Sequence, residues 1–313
     1  MSLPSVNVII PTYKRNNSLD RTIDSVVSQK SVSIDIHIVD MTRNENARPV
    51  ADEYGVNYTC INSYETDNKI EQVAIARDRG IQKTNGRYVL FLDDDDEIQA
   101  NGIRMLLEAI ESGDCSVAFA RKRDLLDPEA IREFYTGENP IDPDTVLEFC
   151  LSALAAPYGI SGMLAERSAI ESLLPMADFP HDDIVPVIEL VRSNKVCTID
   201  RELITSRSGY GLSRSVDCKA ARMAIVEYYD ELYDAYPDTV RKRGLALKHA
   251  IGALKCLQQS RWSAHAVRHF WKAVRTNPDG SPYGLVFASL FGRYGLRSYK
   301  SRFPSPSGFN WPV

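Results

Sequence analysis

The chain has 313 residues, 44% of them apolar and 25% charged, with 37 Lys and Arg against 42 Asp and Glu and a formal net charge of −5. These ordinary globular values exclude a disordered, collagenous or coiled-coil protein. No apolar run approaches the roughly 18 residues that span a bilayer, and the first residues do not have the pattern of a secretion signal. The six cysteines form no Cys-x-x-Cys pair, so we expect reduced thiols rather than disulfides or a zinc site.

Strand and helix patterns alternate along the first 120 residues. Short β-branched or fully apolar runs predict strands, and apolar residues at helical spacing predict the helices between them. The predicted strands cover 6–10, 34–39, 56–60, 88–92 and 116–120, and the predicted helices cover 19–27, 70–81 and 103–110. A fully apolar strand such as 88–92 is typical of a sheet that helices cover on both faces. The alternation therefore predicts an α/β fold with a Rossmann-like, mostly parallel sheet.

The rest of the chain divides into two parts. The pattern over 121–215 predicts short helices, a helix starting near Asp183 and a pair of strands between Val196 and Ser206. From 216 onward, apolar spacing predicts helices over 220–233, 240–258 and 264–274, before a stretch rich in Gly, Ser and Pro. We therefore expect a first domain over 1–215, with two halves that meet near 120, and a helical, basic C-terminal region over 216–313.

An acidic run of four aspartates and a glutamate, Asp93 to Glu97, follows directly on the apolar strand 88–92. Like charges this close repel one another and raise one another's pKa, so a cation usually lies among them. Carboxylate oxygens suit Mg²⁺ or Mn²⁺, which normally complete their coordination with substrate phosphates. Ligands of open α/β sheets bind at the carboxyl ends of strands. We therefore predict a metal–diphosphate site here; the alternative is a solvated acidic loop that caps the next helix.

Three further motifs fit around this run. The first strand continues through Pro11, Thr12 and Tyr13 to Arg15, into a loop whose backbone groups can hold a nucleotide. Asp40 ends the second strand, where its carboxylate can accept a hydrogen bond from a base N–H or simply cap the following turn. Arg77 precedes the acidic strand on a helix, where it can neutralise phosphate charge or lie on a solvated helix face.

Together these four motifs resemble the signature of the family 2 glycosyltransferases of GT-A fold. That signature joins a strand ending in Pro-Thr-Tyr-x-Arg, an aspartate after the second strand, an Ala-Arg-x-x-Gly helix, and a Gly-x-Tyr strand leading into Asp-x-Asp-Asp. The motifs occur here in order, as Pro11–Arg15, Asp40, Ala76–Gly80 and Gly86–Asp96. The resemblance implies a GT-A fold that binds a nucleotide-diphosphate sugar (a UDP-, GDP- or dTDP-sugar) through residues 1–120.

The resemblance also implies roles for individual residues. It places Thr12, Tyr13 and Asp40 at the base and Asp94 near the ribose. It makes Asp93 and Asp95 the metal ligands for Mn²⁺ or Mg²⁺, although the run of four aspartates leaves the register open by one residue. The donor-binding residues are then Pro11, Thr12, Tyr13, Arg15, Asp40, Arg77, Asp94 and Arg207.

The family motifs that bind the acceptor correspond to segments within 121–215. The segment around Gly162 resembles the family's glycine-containing acceptor segment, and Phe179–Ile184 takes the place of its Glu-Asp motif. Inversion at the anomeric carbon requires a carboxylate that deprotonates the acceptor hydroxyl. The resemblance implies that Asp183 is this base, in preference to Asp182, which stands where the family usually has Glu. Either aspartate can instead cap the following helix.

His181 and the loop over 206–213 complete the expected site. His181 is assigned to the acceptor side, as a supporting group or metal ligand, although a lone histidine is more often structural. The loop resembles the segment that often closes over the donor in this family, and its two glycines allow a hinged lid. The histidine often found there is absent, so the pyrophosphate contact falls to Arg207 or Arg214. An ordinary surface loop is the alternative.

The resemblance implies an inverting hexosyltransferase that acts on a glycan or lipid-linked acceptor, in polysaccharide, glycolipid or lipid-linked glycan synthesis. A haloacid-dehalogenase-type phosphatase also has Asp-x-Asp after a strand, but it requires Thr or Val where this chain has Glu97. A sugar nucleotidyltransferase requires a Gly-rich, Arg-containing loop after the first strand, which is missing here. A non-catalytic nucleotide-sugar or carbohydrate-binding protein of the same fold is disfavoured by the intact Asp-x-Asp and by Asp182-Asp183.

The charge is divided unevenly along the chain. Residues 1–215 carry 22 Lys and Arg and 35 Asp and Glu (22 − 35 = −13), whereas residues 216–313 carry 15 and 7 (15 − 7 = +8). From 239 to 313, Asp279 is the single acid against thirteen Lys and Arg, and aromatic residues are interleaved with them. Such a pattern is typical of a helix that rests on an anionic cytoplasmic leaflet. We therefore expect a cytoplasmic enzyme, peripheral at the inner face of the cell membrane, without a nucleic-acid partner; the alternative is a helical subdomain whose aromatics pack against the core.

Overall fold

The structure is a computed structural model that describes residues 4–61, 66–123, 131–137, 139–206, 215–278 and 283–302. Packing divides the chain into two compact units. One consists of Met1–Pro143 and Pro157–Gly209, and the other of Asp144–Ala156 and Tyr210–Val313. The division into functional domains near 120 and at 215 stays a prediction.

The first unit has the alternating elements that the sequence predicts. Its strands are β1 (Ser5–Thr12), β2 (Ser33–Asp40), β3 (Asn57–Cys60), β4 (Tyr88–Phe91), β5 (Asp96–Ile98), β6 (Val117–Arg123), β7 (Leu164–Glu166) and β8 (Val196–Ser206). The helices up to residue 193 are α1 (Asn16–Val27), α2 (Arg48–Tyr54), α3 (Lys69–Gln82), α4 (Gly102–Gly113), α5 (Glu133–Thr136), α6 (Pro143–Ala153), α7 (Arg167–Glu171) and α8 (Ile184–Ser193). Most of α6 belongs to the second unit.

The eight strands form one sheet in the order β3-β2-β1-β4-β7-β6-β8-β5. β1 is parallel to β2 and β4, β2 is parallel to β3, and β6 is parallel to β8. β7 is antiparallel to both β4 and β6, and β5 is antiparallel to β8. Because β7 reverses the direction twice, β6 runs the same way as β4. The carboxyl ends of β1, β2, β4 and β6 therefore lie along one edge of the sheet. This mixed α/β sheet confirms the predicted fold class.

The sheet lies inside a hydrophobic core. All four residues of β4 are buried, as are seven of the eight in β1, which explains why these strands have no polar face. Leu19 and Ile23 of α1 and Ile103 and Leu106 of α4 are fully buried in the same core. Helical spacing of the apolar residues in α1 and α4 is what allows each helix to cover the sheet with one face.

The described part of the second unit after residue 210 contains five α-helices. They are α9 (Val216–Tyr228), α10 (Asp238–Gln259), α11 (Ala264–Thr276), α12 (Gly284–Leu290) and α13 (Gly292–Arg302). The Ser215 hydroxyl accepts the Cys218 N–H and caps α9, and Ser263 caps α11 in the same way. Among the described residues, no helix combines the length and the apolar character that crossing a bilayer requires.

Two local expectations were wrong. The region Val196–Ser206 is one strand rather than two, because the polar residues Asp200 to Glu202 lie at a register shift against β6 and do not form a turn. The helical pattern does not end near 277, because α12 and α13 follow it. Their glycines, which suggested a loop, permit close packing: a Cβ on Gly295 would overlap the Ala288 carbonyl.

The expectation of reduced thiols fails for one pair of cysteines. Cys115 and Cys197 form a disulfide across 82 residues of sequence. Cys115 precedes β6 and Cys197 lies in β8, and the parallel pairing of these strands brings them together. Sequence spacing carries no information about such a pairing. The described free cysteines are Cys60, Cys150, Cys218 and Cys256.

Candidate active site

The acidic run begins where β4 ends at the carboxyl edge of the sheet. A hydrogen bond from the Asp96 N–H to the Asp93 carbonyl, 3.1 Å long, closes a turn before β5 starts. Burial alternates along the run: Asp94 and Asp96 are 6% and 0% exposed, whereas Asp93 and Asp95 are half-buried. At the level of the side chains, Asp93 is 37% exposed, whereas Asp95 is 10% exposed. The assignment of Asp93 and Asp95 as metal ligands stays a prediction.

Asp94 is held by the residues that follow β1. Its carboxylate accepts hydrogen bonds from the Thr12 hydroxyl at 2.8 Å and from the Tyr13 backbone N–H at 3.3 Å. One nitrogen of Arg15 lies 3.0 Å from Asp94 and 2.8 Å from Asp95. Burial raises the pKa of Asp94 to about 6, although Arg15 and Thr12 favour the ionised form. The Pro-Thr-Tyr-x-Arg motif and the acidic run thus form one connected cluster, with the Tyr13 side chain 46% exposed beside it.

Arg77 connects the acidic run to the acceptor motif. It is 2% exposed, which rules out a solvated position on the face of α3. Its guanidinium donates to the Asp93 carboxylate at 3.2 Å, to the Asp182 carbonyl at 2.7 Å and to the Asp182 carboxylate at 3.3 Å. Burial opposes the charge on Arg77, but the neighbouring carboxylates outweigh burial and raise its pKa. The acidic run at Asp93 and the acceptor motif at Asp182, about 90 residues apart in the sequence, therefore both pair with the buried guanidinium of Arg77.

Two residues without a sequence signal also contact the acidic run. Lys122, near the end of β6, pairs with the buried Asp96 and lies 3.9 Å from Asp93. The Ser161 hydroxyl donates to Asp96 and accepts the Asp93 N–H at 2.9 Å. Burial raises the pKa of Asp96 to about 6, whereas for Asp93 the cations Lys122 and Arg77 outweigh burial and lower the pKa. Nothing in the basic stretch 121–123 distinguishes Lys122 from a surface cation.

The two aspartates before α8 differ in their surroundings. Asp182 is 9% exposed and paired with Arg77, and burial raises its pKa to about 7. Asp183 is half-buried, and one carboxylate oxygen accepts the Ile160 N–H at 3.0 Å. No other hydrogen bond to the Asp183 carboxylate comes from the described residues. Burial also raises the pKa of Asp183.

His181 caps α8. Its Nδ1 accepts the backbone N–H of Asp183 at 3.1 Å and of Ile184 at 3.3 Å, which assigns the ring proton of the neutral form to Nε2. The cap that the sequence offered to Asp182 or Asp183 is therefore made by His181, and it leaves both carboxylates available to the site. A direct role of His181 on the acceptor side stays a prediction.

Asp40 is fully buried at the end of β2. Its carboxylate accepts four hydrogen bonds, from the Thr42 N–H and hydroxyl, the Ala47 N–H and the Tyr58 hydroxyl, all at 2.7–2.8 Å. A carboxylate has about four acceptor positions, so Asp40 can take a base N–H only by exchanging one of these bonds. Its role in binding the donor stays a prediction.

Gly162 lies where only glycine fits. Its φ is +84°, and a Cβ at this position would overlap Ile204 of β8. Its N–H donates to the Phe91 carbonyl at 2.7 Å, at the end of β4. This bond keeps Ser161 against the acidic run. Arg207 and Arg214 lie outside the described residues, as does the predicted lid from 207 onward.

The carboxylates around this site outnumber the cations. Asp93–Asp96, Asp182 and Asp183 are six acids, against Arg15, Arg77 and Lys122, which gives 3 − 6 = −3. The raised pKa values of four of these acids have burial as their first cause and mutual repulsion as a further one. A divalent cation held by Asp93 or Asp95 would offset this excess of negative charge, which is the observation that favours a metal here. Within the described residues, no three or more His, Cys, Asp or Glu side chains are arranged to hold a metal, and a metal here would need phosphate ligands as well.

A known protein family matches the first half of the chain. Residues 7–159 match the model of glycosyl transferase family 2. The matched domain makes up 153 of the 313 residues, just under half of the chain. The match covers the acidic run, the Pro-Thr-Tyr-x-Arg motif and Arg77, and it ends just before the Gly162 segment.

Individual members of the family and solved structures are also similar. The Campylobacter jejuni GalNAc(5)-diNAcBac-PP-undecaprenol beta-1,3-glucosyltransferase is 24% identical over 111 residues, which are 36% of this chain and 36% of that protein. The crystal structure of Staphylococcus aureus TarS 1-349 superposes with a TM-score of 0.59 at 14% identity, covering 96% of this chain and 92% of that one. The mannosyltransferase PcManGT of Pyrobaculum calidifontis, in complex with GDP-Man and Mn²⁺, gives 0.56 at 14% identity, covering 97% and 82%.

The structural similarities, at 14% identity, show the fold alone, which is the GT-A fold of glycosyltransferases. The chain spans 33–46% of the length of three curated relatives and as little as 15% of another. The activity, substrates and partners of the whole protein are therefore argued from the site itself.

Proposed function

We propose that this chain is an inverting hexosyltransferase that moves a sugar from a nucleotide-diphosphate sugar to an acceptor hydroxyl. One observation carries the proposal: the buried Arg77 contacts both Asp93 of the Asp-x-Asp pair and Asp182, the neighbour of Asp183. The group that binds the donor phosphate and the group that activates the acceptor must lie close together, on either side of one anomeric carbon. By contacting both Asp93 and Asp182, Arg77 holds the Asp-x-Asp pair and the Asp182-Asp183 motif close to each other.

Asp183 is the proposed base. It is more accessible than Asp182, its carboxylate accepts one hydrogen bond from the described residues, and no described cation pairs with it. Asp182 is committed to Arg77. A raised pKa also suits Asp183 to the task, because a base accepts a proton best when its pKa approaches the working pH.

The reaction then needs one displacement. As the acceptor oxygen attacks the anomeric carbon, its proton passes to the Asp183 carboxylate, and the bond between that carbon and the phosphate oxygen breaks. The nucleoside diphosphate leaves on the opposite side, so the configuration inverts. Arg77 is positioned to offset the charge that develops on the leaving phosphate. When bound, a divalent cation supplies further positive charge to the same leaving group.

The donor is proposed to lie along the end of β1. Pro11 and Thr12 end this strand, and the exposed Tyr13 ring beside them offers a face for the base. Asp94 is assigned to the ribose and Asp93 and Asp95 to Mn²⁺ or Mg²⁺. Two solved structures of this fold contain such ligands: TarS 1-349 with UDP-GlcNAc and PcManGT with GDP-Man and Mn²⁺. They support a nucleotide-sugar donor and a divalent metal for this chain.

The acceptor is proposed to be a glycan or a lipid-linked glycan. The name of the Campylobacter jejuni relative describes glucose transfer to a glycan on undecaprenol diphosphate. A lipid-linked acceptor agrees with the basic C-terminal region, for which we propose a peripheral position on an anionic membrane at its cytoplasmic face. Polysaccharide, glycolipid and lipid-linked glycan synthesis all use such acceptors.

A thermal-shift screen of UDP-, GDP- and dTDP-sugars with and without Mn²⁺ tests the proposal. A donor that binds the folded state alone raises the melting temperature, and we expect one nucleotide to do so only with the metal present. Release of nucleoside diphosphate from that donor, accelerated by an added acceptor, then establishes transfer. Binding without any release would instead indicate a non-catalytic nucleotide-sugar-binding protein.

A further inference from the structure

A basic cavity lies within the C-terminal unit, where the end of α10 meets α13. Its volume is about 210 Å³, and Arg261, Arg293, Tyr294 and Arg297 line it. The Arg293 N–H donates to the Arg261 carbonyl at 3.1 Å, which ties the start of α13 to the chain beyond α10. Three guanidinium groups therefore border one small space.

Among the described residues, no acidic side chain forms an ion pair with the arginines of this cavity. Arg293 donates to the Leu257 and Gln258 carbonyls at the end of α10, so its guanidinium is fixed in place. Arg261 and Arg297 are exposed, and neither forms an ion pair with a described residue. The sequence has no Asp or Glu in 239–278 or in 283–302. Arginine binds phosphate oxygens in a two-pronged geometry, so an anion with several oxygens suits this cavity.

Large apolar side chains are exposed beside the cavity. We call the following residues, each 51–75% exposed, the aromatic patch: Trp262, Tyr283, Phe287, Leu290, Phe291 and Tyr294. Trp262 directly follows Arg261, and its indole N–H donates to the Leu290 carbonyl at 2.9 Å. Tyr294 belongs to both the patch and the cavity. By contrast, Phe270 in α11 is 2% exposed.

We infer that the cavity binds the phosphate of an anionic lipid headgroup while the aromatic patch lies in the interfacial layer of the same membrane. A soluble phosphate as the ligand would account for the three arginines of the cavity, but not for the exposure of the six large apolar side chains of the aromatic patch. A membrane surface offers both chemistries at once: phosphate at the headgroups, and just below it a layer that Trp and Tyr side chains favour. The inference does not depend on the glycosyl-transfer chemistry, because none of these residues belongs to the candidate active site.

Vesicle co-sedimentation of the full chain tests the inference. Vesicles of phosphatidylcholine alone are compared with vesicles of equal parts phosphatidylcholine and phosphatidylglycerol, at low salt. We expect binding to the anionic vesicles only. Arg261→Gln combined with Arg297→Gln should weaken this binding roughly 30-fold, since each cation near an anionic surface contributes a factor of about five. Donor-dependent release of nucleoside diphosphate should be unchanged in this variant.

Lys242→Gln combined with Arg243→Gln is the matched control. It removes the same charge from exposed positions near the start of α10, roughly 25 Å along the helix from Arg261. We expect the loss of vesicle binding in this control variant to be less than a third of the roughly 30-fold loss expected for the Arg261 and Arg297 variant. A second measurement is tryptophan emission, which should shift to shorter wavelength on anionic vesicles and lose most of that shift in Trp262→Phe.

Several outcomes would overturn the inference. Equal losses in the two double variants would mean that net charge, not the cavity, governs binding. Equal binding to both vesicle types, or to neither, would remove the anionic headgroup as the ligand. If inorganic phosphate stabilised the protein through Arg261 and Arg297 while no vesicle bound, the cavity would be a site for a soluble phosphate.

Discussion

At the scale of single residues, Arg15 pairs with two carboxylates of the acidic run. One of its nitrogens contacts both Asp94 and Asp95, so Arg15 partly neutralises the run from the donor side while Arg77 and Lys122 act on Asp93. The side chains of Asp94 and Asp95 are 8% and 10% exposed. Asp94 is also held by the Thr12 hydroxyl and the Tyr13 N–H, so a loss of Asp95 leaves Asp94 with its partners.

Asp95→Ala should therefore abolish Mn²⁺-dependent nucleotide binding and leave the fold intact, since Arg15 retains Asp94 as its partner. Calorimetric titration of UDP, or of the nucleotide that the donor screen selects, measures the loss. The exposed Asp52, changed to Ala, removes an acid elsewhere in the same unit and should leave binding unchanged. An unaltered titration in Asp95→Ala would refute the metal assignment.

Asp183→Asn should lower kcat by about 10²-fold or more with little change in donor affinity. The amide oxygen can still accept the Ile160 N–H, so the loop keeps its shape, but it cannot accept a proton from the acceptor. Asp182→Asn should differ, because it weakens the pair with the buried Arg77 and hence impairs donor binding as well. Turnover assays and NMR of the product configuration distinguish the two; full turnover in Asp183→Asn, or a retained configuration, would contradict the mechanism.

The pKa of Asp94 predicts an unusual dependence of stability on pH for the metal-free protein. Burial raises this pKa from 3.8 to about 6, so between these values the folded state holds a proton that the unfolded state has lost. Stability therefore falls as pH rises from about 4 to 6. Asp94→Asn removes this contribution, which is at most about 3 kcal/mol. Between pH 4 and pH 7, the wild-type protein should therefore lose more free energy of unfolding than the Asp94→Asn variant. Urea unfolding at both pH values measures it, and identical pH courses for the two proteins would show the shift to be absent.

At the scale of elements, the strand pairing at β8 explains the shape of the acceptor side. β8 pairs with β6 along one edge and with β5 along the other, and its Ile204 packs where Gly162 lacks a side chain. β5 is three residues long and begins inside the acidic run. The same strand thus anchors the end of the run and the segment that carries Ser161.

Gly162→Ala should destabilise the protein by about 1–3 kcal/mol more than Gly55→Ala. Both glycines have positive φ values, +84° and +62°, so both substitutions carry the backbone cost of about 1–2 kcal/mol. A Cβ at 162 would also overlap Ile204, whereas at 55 no other described atom lies within 4 Å. The overpacking penalty is therefore specific to Gly162. Urea unfolding of both variants gives the comparison, and equal losses would show that β8 yields to the extra methyl group.

Much of this fold follows from patterns that are local in the sequence. The strands up to β4 and the helices α1, α3 and α4 have regular apolar spacing, and the acidic run and Arg77 are recognisable because their motifs are contiguous. β5 was not predicted, because three residues beginning with the charged pair Asp96-Glu97 have no strand pattern of their own and depend on pairing with β8. Lys122 and Ser161 were missed for a related reason: each acts through partners at least 26 residues away, and only the strand order brings them together.

On the scale of the whole molecule, short-range ion pairs and longer-range surface charge act in different places. The candidate active site depends on short contacts among half-buried and buried groups, such as the Arg77 pairs at 3.2–3.3 Å. The C-terminal region instead presents many exposed cations with a single acid from 239 onward, and their attraction to an anionic surface acts across water. Salt screens the second kind far more than the first.

Raising the salt concentration should therefore release the protein from anionic vesicles while Mn²⁺-dependent nucleotide binding persists. The Debye length falls from about 10 Å at 0.1 M to about 3 Å at 1 M, which removes the surface attraction but leaves contacts between touching groups. Co-sedimentation and calorimetry across this range measure the two activities in parallel, and the variant with Arg261→Gln and Arg297→Gln should show a shallower salt dependence on vesicles than the wild-type protein. Vesicle binding that strengthened with salt would mean that burial of the aromatic patch, rather than charge, dominates the contact, because salt favours apolar association.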